Sequence, residues 1–549
     1  MRKYPLNEVK YYLRFRDMID DLAIGNEKKP AISWFTRKGE EMGVDLGKWR
    51  DDIVCLQEQL IALGLNGKHI AILGENSYEW LLTYFAATYC GAVAVCVDIE
   101  QPNETIEQML NMADVSALFC SKTVESICKE YQNGSIPMFT MYESEGATSI
   151  YKLIEDGKTI IASGNANKDV EKSITPDMTA SIVFTSGTTS YSKPVMLSQE
   201  AILTNASDAL ANVAIGNVAF TSLPFYHTYG LTCSVLSMLI GKAHLYINGN
   251  LKTVMRDIQL SKPHTMLTVP LMLETINSKM WATVEELGKT EGLKKLLKLK
   301  KILLKFGINK RFSAIDILKE KCFGTIELII CGGAHMSPEI MEQFYLMGVL
   351  TVQGYGITEC APLVSVNRNK MNKFDSVGLI SHNCEVKLED GEILVRGKNV
   401  MKGYYKLPEL TEEAMSGEWF KTGDIGEIDK DGFLYITGRK KNLIVFKNGK
   451  KLSPEKLEEK IKKLPLVKDV VVYGAVSGVS TDDVQVATSI FPDKEKTEGM
   501  NSYDILEILQ TEINEINKEL PLYQQIQMIN IREQEFSKTA LQKIKRHLI

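Results

Sequence analysis

Short apolar runs alternate with helical spacing along the first three quarters of the chain. "KHIAILGEN" (68–76) is an apolar strand that ends in a turn, "SYEWLLTYFAATYCGA" follows with helical spacing and a glycine stop, and "GAVAVCVDI" is the next strand. "ASIVFTSG", "AHLYI", "HTMLTV" and "ELIICGGA" are further strands, with helix-like segments between several of them. Such a pattern specifies parallel sheets covered by helices, an α/β fold. From about Val377 to Gly438 the strands become short and are divided by Gly and Asp turns ("CEVKLED", "EILVRG", "GFLYITG"), which predicts an antiparallel sheet or small barrel. A basic segment from Arg439 to Lys441 then leads to an amphipathic helix over 454–463, the strand "VKDVVVYGAV" and a final mixed α/β stretch. At 549 residues the chain is too long for one core. The expected division is a large domain over 1–438 and a small one over 439–549.

Composition narrows the class of function. With 44% hydrophobic and 24% charged residues the chain reads as a soluble globular protein, and a net charge of −5 gives no electrostatic reason to expect nucleic acid. No apolar run is long enough to span a bilayer, and "MRKYPLNEVKYYLRF" lacks the apolar core of a signal peptide, so a cytoplasmic location is expected. The ten cysteines form no CxxC pair and no Cys/His cluster with metal spacing. They read as reduced, mostly buried thiols, against zinc and against a disulfide scaffold.

Four stretches can carry chemistry. "IVFTSGTTSYSKPVML" (182–197) places Thr185, Ser186, Thr188, Thr189, Ser190 and Ser192 around Gly187, with Lys193 at the far end. A donor-rich loop leaving a buried strand can surround anionic oxygens with N–H groups and hydroxyls, and the ammonium adds a point charge. A plain surface loop has the same composition. It is not a Walker A loop, because Ser192 precedes the lysine and Pro194 follows it. In "QGYGITE" (353–359), Tyr355 offers an aromatic plate, Gly354 and Gly356 permit close backbone approach, and Thr358 and Glu359 supply a hydroxyl beside a carboxylate. That set suits a base, a phosphate and Mg²⁺; a tyrosine corner with a helix cap has the same residues. In "WFKTGDIGEIDKDGFLYITGR", Asp424 follows a Thr-Gly turn and Arg439 closes the next Gly turn. A carboxylate there can hold ribose hydroxyls, or be an ordinary turn residue. In the tail, "FSKTALQKIKRHL", Lys543 lies in a basic stretch that reads equally as a solvated end.

The order and spacing of these stretches resemble the adenylate-forming superfamily of acyl-CoA synthetases, peptide-synthetase adenylation domains and luciferases. The family's TSGTTGxPKGV stands here as TSGTTSYSKPV, its YGxTE as "YGITE", its TGD as "TGDIG", its GRxK as "GRKKNLI" and its PKTxTGKIxR as "SKTALQKIKR". The likeness runs from "FRDMIDDLA" to the last residues, and "HTMLTVPLMLETI" with "CGGAHMSPEIMEQFYLMGVLTVQGYGITECAPLVSVNR" looks most like the long-chain acyl-CoA synthetase branch. The resemblance implies two parallel α/β subdomains and a β-barrel-like one, followed by a mobile α+β C-terminal domain. It also implies a reaction: a carboxylate attacks the α-phosphate of Mg·ATP, giving acyl-AMP and pyrophosphate, and a thiol then displaces AMP. By position, Thr185, Ser186, Gly187, Thr188, Thr189 and Lys193 would hold the β- and γ-phosphates. Thr358 would touch the α-phosphate, Glu359 would ligate Mg²⁺, and Tyr355 would stack on adenine beside Gly333 and Ala334. Asp424 and Arg439 would hold the ribose, and Lys543 would bridge the acyl carboxylate and the α-phosphate. The small domain would turn about Lys441 to open a thiol path past Gly449. His227 in "LPFYHTYG" matches a position beside the acyl pocket, and reads equally as a histidine packed between aromatics.

The chain departs from the family at Ser190, Ser192 and Pro194 in the loop and at Leu541 and Gln542 before Lys543. Serine restricts backbone freedom where φ > 0 is needed and proline removes a donor, so altered ATP affinity or loop mobility is expected, with activity retained. Residues 292–312, "GLKKLLKLKKILLKFGINKRF", space Leu293, Leu296, Leu297, Leu303, Leu304 and Phe306 for an apolar helix face ringed by lysines. Such a helix packs on a core with solvated lysines, or rests on anionic lipid or an acidic carrier protein. The expected partners are a medium- or long-chain fatty acid, ATP, Mg²⁺ and CoA. The phosphopantetheine arm of an acyl carrier protein is the alternative acceptor, and a non-catalytic acyl or nucleotide sensor is the competing class.

Overall fold

The apolar runs do form strands, and their order fixes where the loops go. The computed structural model describes residues 6–132, 135–167, 169–185, 192–446, 450–476, 484–538 and 544–549. His69–Leu73 and Val93–Cys96 are neighbouring parallel strands, and the helix Tyr78–Tyr89 joins them, its N-terminus capped where the Ser77 hydroxyl accepts from the Trp80 N–H at 3.1 Å. They belong to an eight-stranded sheet in which Thr179–Phe184, Val93–Cys96, His69–Leu73, Ala117–Cys120, Met138–Thr140 and Thr148–Ser149 run parallel. Pro194–Ser198 and Gly403–Tyr404 close one edge antiparallel.

A second sheet has nine strands. Leu350–Gly356, Leu328–Cys331, Thr265–Thr268, Val218–Thr221, His244–Ile247 and Pro30–Phe35 are parallel neighbours in that order. Leu363–Val366 with Leu379–Ile380 at one end and Glu41–Asp45 at the other run antiparallel. The architecture is the mixed α/β fold that the alternating pattern specifies.

The chain divides into two compact units, Met1–Val386 with Val395–Phe420 and Lys430–Phe433, and Lys387–Leu394 with Lys421–Asp429 and Leu434–Ile549. Both large sheets lie in the first unit. The second has its own core, in which Leu457 and Ile461 of the helix Pro454–Lys462 and Leu509 and Ile513 of Ser502–Lys518 pack on Val472 and Ile490 of a three-stranded sheet. All ten cysteines are free thiols, eight of them buried. In the lysine-rich segment the helix is Thr290–Lys305; Leu293 and Leu297 are buried in the core and Leu296 and Leu304 pack against it. Phe306 does not join that face and is 77% exposed.

The helix Gln199–Asn212 is buried on nearly every side although it is rich in polar residues. It packs on Thr179–Phe184 and Pro194–Ser198 of one sheet and on Leu363–Val366 of the other. Its polar groups are satisfied by long-range hydrogen bonds, which is the condition for burying them: Gln199 Oε1 accepts from the Phe15 N–H at 2.9 Å and Ser207 Oγ donates to the Lys10 carbonyl at 3.0 Å.

The turn joining Leu350–Gly356 to Leu363–Val366 allows no side chain at Gly356, where a Cβ would lie 2.4 Å from the Pro362 carbonyl oxygen. A Gly356→Ala substitution therefore forces two backbones apart. It is expected to destabilise the protein by about 1–3 kcal/mol, read as a lower urea midpoint at unchanged slope.

Candidate active site

In open sheets of parallel strands, ligands bind beyond the carboxyl ends of the strands, and most of the residues singled out from sequence in the first unit lie there. Thr185 follows Thr179–Phe184, Gly333 and Ala334 follow Leu328–Cys331, and Tyr355 lies near the end of Leu350–Gly356. Ser186, Gly187, Thr188, Thr189 and Lys543, together with Ser190, Gly449, Leu541 and Gln542, lie outside the described residues.

The base of the phosphate-loop candidate is closed by its two ends. The Thr185 N–H donates to the Lys193 carbonyl at 3.1 Å and the Lys193 N–H donates to Thr185 Oγ1 at 3.2 Å. The Lys193 ammonium lies over the ring of Tyr404, 4.7 Å from its centre. The hydroxyl of the same Tyr404 donates to Glu359 Oε1 at 2.9 Å. One aromatic side chain thus holds the candidate phosphate lysine on its face and the candidate metal carboxylate on its rim. Tyr404 reaches this place because Gly403–Tyr404 adds to the edge of Pro194–Ser198, with Tyr404 opposite Val195. Burial and the nearby Glu359 carboxylate push its phenol above the ordinary range, so it remains a protonated donor.

Thr358 and Glu359 sit on a short 3₁₀ turn, Thr358–Cys360, whose backbone is tied on both sides. The Ile357 N–H donates to the Pro362 carbonyl at 3.0 Å and the Met401 N–H to the Glu359 carbonyl at 2.8 Å. Asn205, fully buried on the helix Gln199–Asn212, completes the clamp. Its Nδ2 donates to the carbonyls of Cys360 (3.3 Å) and Leu363 (2.8 Å), and its Oδ1 accepts from the Leu363 N–H at 3.0 Å.

Gly333 has φ 88°, a left-handed conformation suited to glycine, and Gln353 Nε2 donates to the Ala334 carbonyl at 3.4 Å. Tyr229 is pinned nearby, its hydroxyl placed to donate to the carbonyls of Ile330 (3.0 Å) and Thr268 (3.2 Å). His227 is buried with its ring 4.9 Å from that of Tyr226, and a π-wound helix, Tyr229–Leu236, follows directly. Breaks of this kind in helical winding concentrate at functional sites.

In the second unit Asp424 and Arg439 face each other across the hairpin of Trp419–Ile428 and Leu434–Arg439, and Arg439 Nε holds Asp424 Oδ1 at 2.6 Å. The Asp424 side chain is buried, and its own N–H donates to Thr422 Oγ1 at 3.0 Å. Lys441 lies in the turn Lys440–Asn442 that ends this hairpin, where Lys440 pairs with Glu392 at 2.6 Å. Asp424 and Arg439 are brought together; in the first unit Lys193 and Glu359 meet on Tyr404, and Thr185 is bonded to the backbone of Lys193.

Sequence reasoning missed Tyr404 and Asn205. Tyr404 stands in "MKGYYKLP", about 210 residues from Lys193, with only a Gly-Tyr pair to mark it. Asn205 gives no local signal, because its partners are 155 and 158 residues away.

A profile described as AMP-binding enzyme matches residues 49–405, and one described as AMP-binding enzyme C-terminal domain matches residues 441–549. Fatty acyl-CoA synthetase A of Dictyostelium discoideum is 28% identical over 485 residues, 79% of this chain and 71% of that protein. Long chain acyl-CoA synthetase 1 of Arabidopsis thaliana is 28% identical over 523 residues, 86% and 76% of the two chains. Among solved structures, the anthranilate CoA ligase AuaEII in complex with anthranoyl-AMP superposes with a TM-score of 0.78 at 18% identity, covering 98% of this chain and 96% of that one. The O-succinylbenzoate CoA synthetase of Bacillus subtilis, in complex with ATP and a magnesium ion, gives 0.73 at 20% identity, covering 96% and 98%. At such identities the structures establish the shared fold.

The Asn205 clamp makes a stability prediction. Asn205→Ala leaves the buried Leu363 N–H without its acceptor and removes two donations to carbonyls, a loss of roughly 2–4 kcal/mol. Asn205→Asp keeps the acceptor but puts a charge against those carbonyls, so thermal unfolding of both variants is expected below that of the parent protein.

Proposed function

Because this chain belongs to the AMP-binding enzyme family and is an AMP-forming ligase, we propose that it activates a medium- or long-chain fatty acid as acyl-AMP and passes the acyl group to CoA. The observation that carries this reading is the cradle of Lys193, Tyr404 and Glu359, which joins a phosphate-loop lysine to a carboxylate in the first unit. Relatives named as fatty acyl-CoA and long-chain acyl-CoA synthetases support the choice of acid and of thiol.

The first step brings two anions together, so it needs charge neutralisation and alignment more than acid–base groups. A carboxylate oxygen forms a bond to the α-phosphorus and the bond to pyrophosphate breaks. In this reading Lys193 and the loop from Thr185 to Thr189 hold the β- and γ-phosphates, Thr358 touches the α-phosphate, and Tyr355 with Gly333 and Ala334 holds adenine. Glu359 fits Mg²⁺: it is a hard oxygen donor, and its Oε1 is already oriented by the Tyr404 hydroxyl. Bound there, the ion would supply charge stabilisation on the phosphates. The ribose falls to Asp424, oriented by Arg439, and His227 lines the acyl pocket. Residues 439–549 act as the mobile domain, with Lys441 as hinge and Lys543 bridging the acyl carboxylate and the α-phosphate. In the second step the thiol sulfur attacks the acyl carbon and AMP leaves. A carrier-protein phosphopantetheine presents the same thiol, so the acceptor is decided by comparing holo carrier protein with CoA.

The test is acid-dependent ATP–pyrophosphate exchange over acids from acetate to long-chain and aromatic, without any thiol. Exchange is expected with medium- or long-chain fatty acids and not with acetate or aromatic acids. In Lys543→Ala it should fall by roughly 10²–10³-fold, the scale of losing one transition-state donor. An unchanged rate in that variant would remove the proposed mechanism. No exchange with any acid, in a folded protein that binds ATP, would favour the sensor.

A further inference from the structure

The helix Thr290–Lys305 has two apolar faces, and only one of them is used by the core. Leu293 and Leu297 are buried, with Leu296 and Leu304 packed beside them. On the opposite side Leu299, Ile302 and Phe306 follow the i, i+3, i+7 spacing of a single helical stripe. They are 44%, 46% and 77% exposed, and Ile308, just beyond the helix, is 52% exposed. A helix that merely rests on a core has a polar outer face; this one presents large apolar side chains to solvent.

Charge is concentrated in the same place. Residues 289–312 contain nine Lys and Arg (289, 294, 295, 298, 300, 301, 305, 310 and 311) and one acidic residue, Glu291, for a net +8; of the nine, Lys300 is buried on the core side with Leu293 and Leu297 and takes no part in the outer face. The chain as a whole is −5, so the remainder carries −13. Three of these cations are engaged by carboxylates of the protein: Lys294 by Glu291, Lys301 by Glu342 and Arg311 by Asp316. Lys295 lies on the apolar stripe itself, one turn before Leu299, and Lys298 and Lys305 border it, all three exposed.

We propose that this outer face docks the protein on an anionic lipid bilayer. The apolar tips of Leu299, Ile302, Phe306 and Ile308 enter the headgroup–acyl boundary, while the lysines lay their stems along it and hold their ammonium groups at the phosphates. Basic charge alone would suit an acidic carrier protein equally, and the exposed apolar stripe is what favours lipid. The proposal rests on this surface and not on the acyl specificity proposed above, so the two are tested separately.

The test is co-sedimentation of the full chain with phosphatidylcholine vesicles and with phosphatidylcholine–phosphatidylglycerol vesicles, at low and high salt. The protein is expected to sediment with the anionic vesicles only and to be released by salt. Lys298→Gln and Lys305→Gln should each lower partitioning roughly fivefold. The triple variant L299S/I302S/F306S should lower it by at least about tenfold, through loss of buried apolar area. Because these side chains lie outside the core, the thermal midpoint and acid-dependent exchange with a soluble acid should not change in the variants, which separates lost docking from lost folding or activity. Failure to bind anionic vesicles, or binding that the triple variant leaves intact, overturns the proposal. So does binding to a holo carrier protein, sensitive to these lysines, in a chain that ignores vesicles.

Discussion

Three hydrogen bonds made by one buried asparagine join two parts of the candidate site within the first unit. Asn205 belongs to the helix that follows the phosphate-loop candidate, and its amide grips the backbone between Cys360 and Leu363. The turn bearing Thr358 and Glu359 is therefore fixed relative to the strand that leaves Lys193, although the two stretches lie in different sheets. A buried amide with its capacity this fully used is rigid and specific, because any shift leaves polar groups unsatisfied in a low dielectric.

Tyr404 serves a complementary purpose. Whereas Asn205 fixes backbone, Tyr404 fixes side chains, holding the Lys193 ammonium on its ring and the Glu359 carboxylate on its hydroxyl. A cation over an aromatic face and a charge-assisted hydrogen bond are both strengthened by desolvation, and Tyr404 is only 4% exposed. The lysine and the carboxylate, which bear opposite charges, are separated by the ring instead of collapsing into an ion pair. The departures at Ser192 and Pro194 leave this arrangement intact, since Pro194 opens the strand beside Lys193 and accepts the Tyr405 N–H at its carbonyl at 2.8 Å.

Exposure of apolar side chains on the helix Thr290–Lys305 fits the same economy of surfaces. The sequence offered one apolar face through Leu293 to Phe306; the fold uses the part that meets the helices Pro270–Glu286 and Pro338–Leu346 and leaves Phe306 outside with Leu299 and Ile302. Which leucines of a leucine- and lysine-rich helix are buried depends on where its neighbours stand, and spacing alone allowed more than one stripe.

The sequence by itself determined the kinds of element and their order, because apolar periodicity and turn residues act locally. The strands His69–Leu73, Val93–Cys96, Thr179–Phe184 and Leu328–Cys331 and the helices Tyr78–Tyr89 and Pro454–Lys462 fall where the pattern puts them. It also placed Thr185, Lys193, Tyr355, Thr358, Glu359, Asp424 and Arg439 in candidate motifs, since each motif is a short run of suggestive residue types. Tertiary structure alone decided which of those side chains touch. That Tyr404 stands between Lys193 and Glu359 follows from a two-residue strand adding to a sheet edge. That a helix containing Thr204, Asn205, Ser207 and Asp208 is buried follows from partners far along the chain. Polar residues in a helix look solvated until those partners are known, because a satisfied hydrogen bond at long range leaves no trace in local composition.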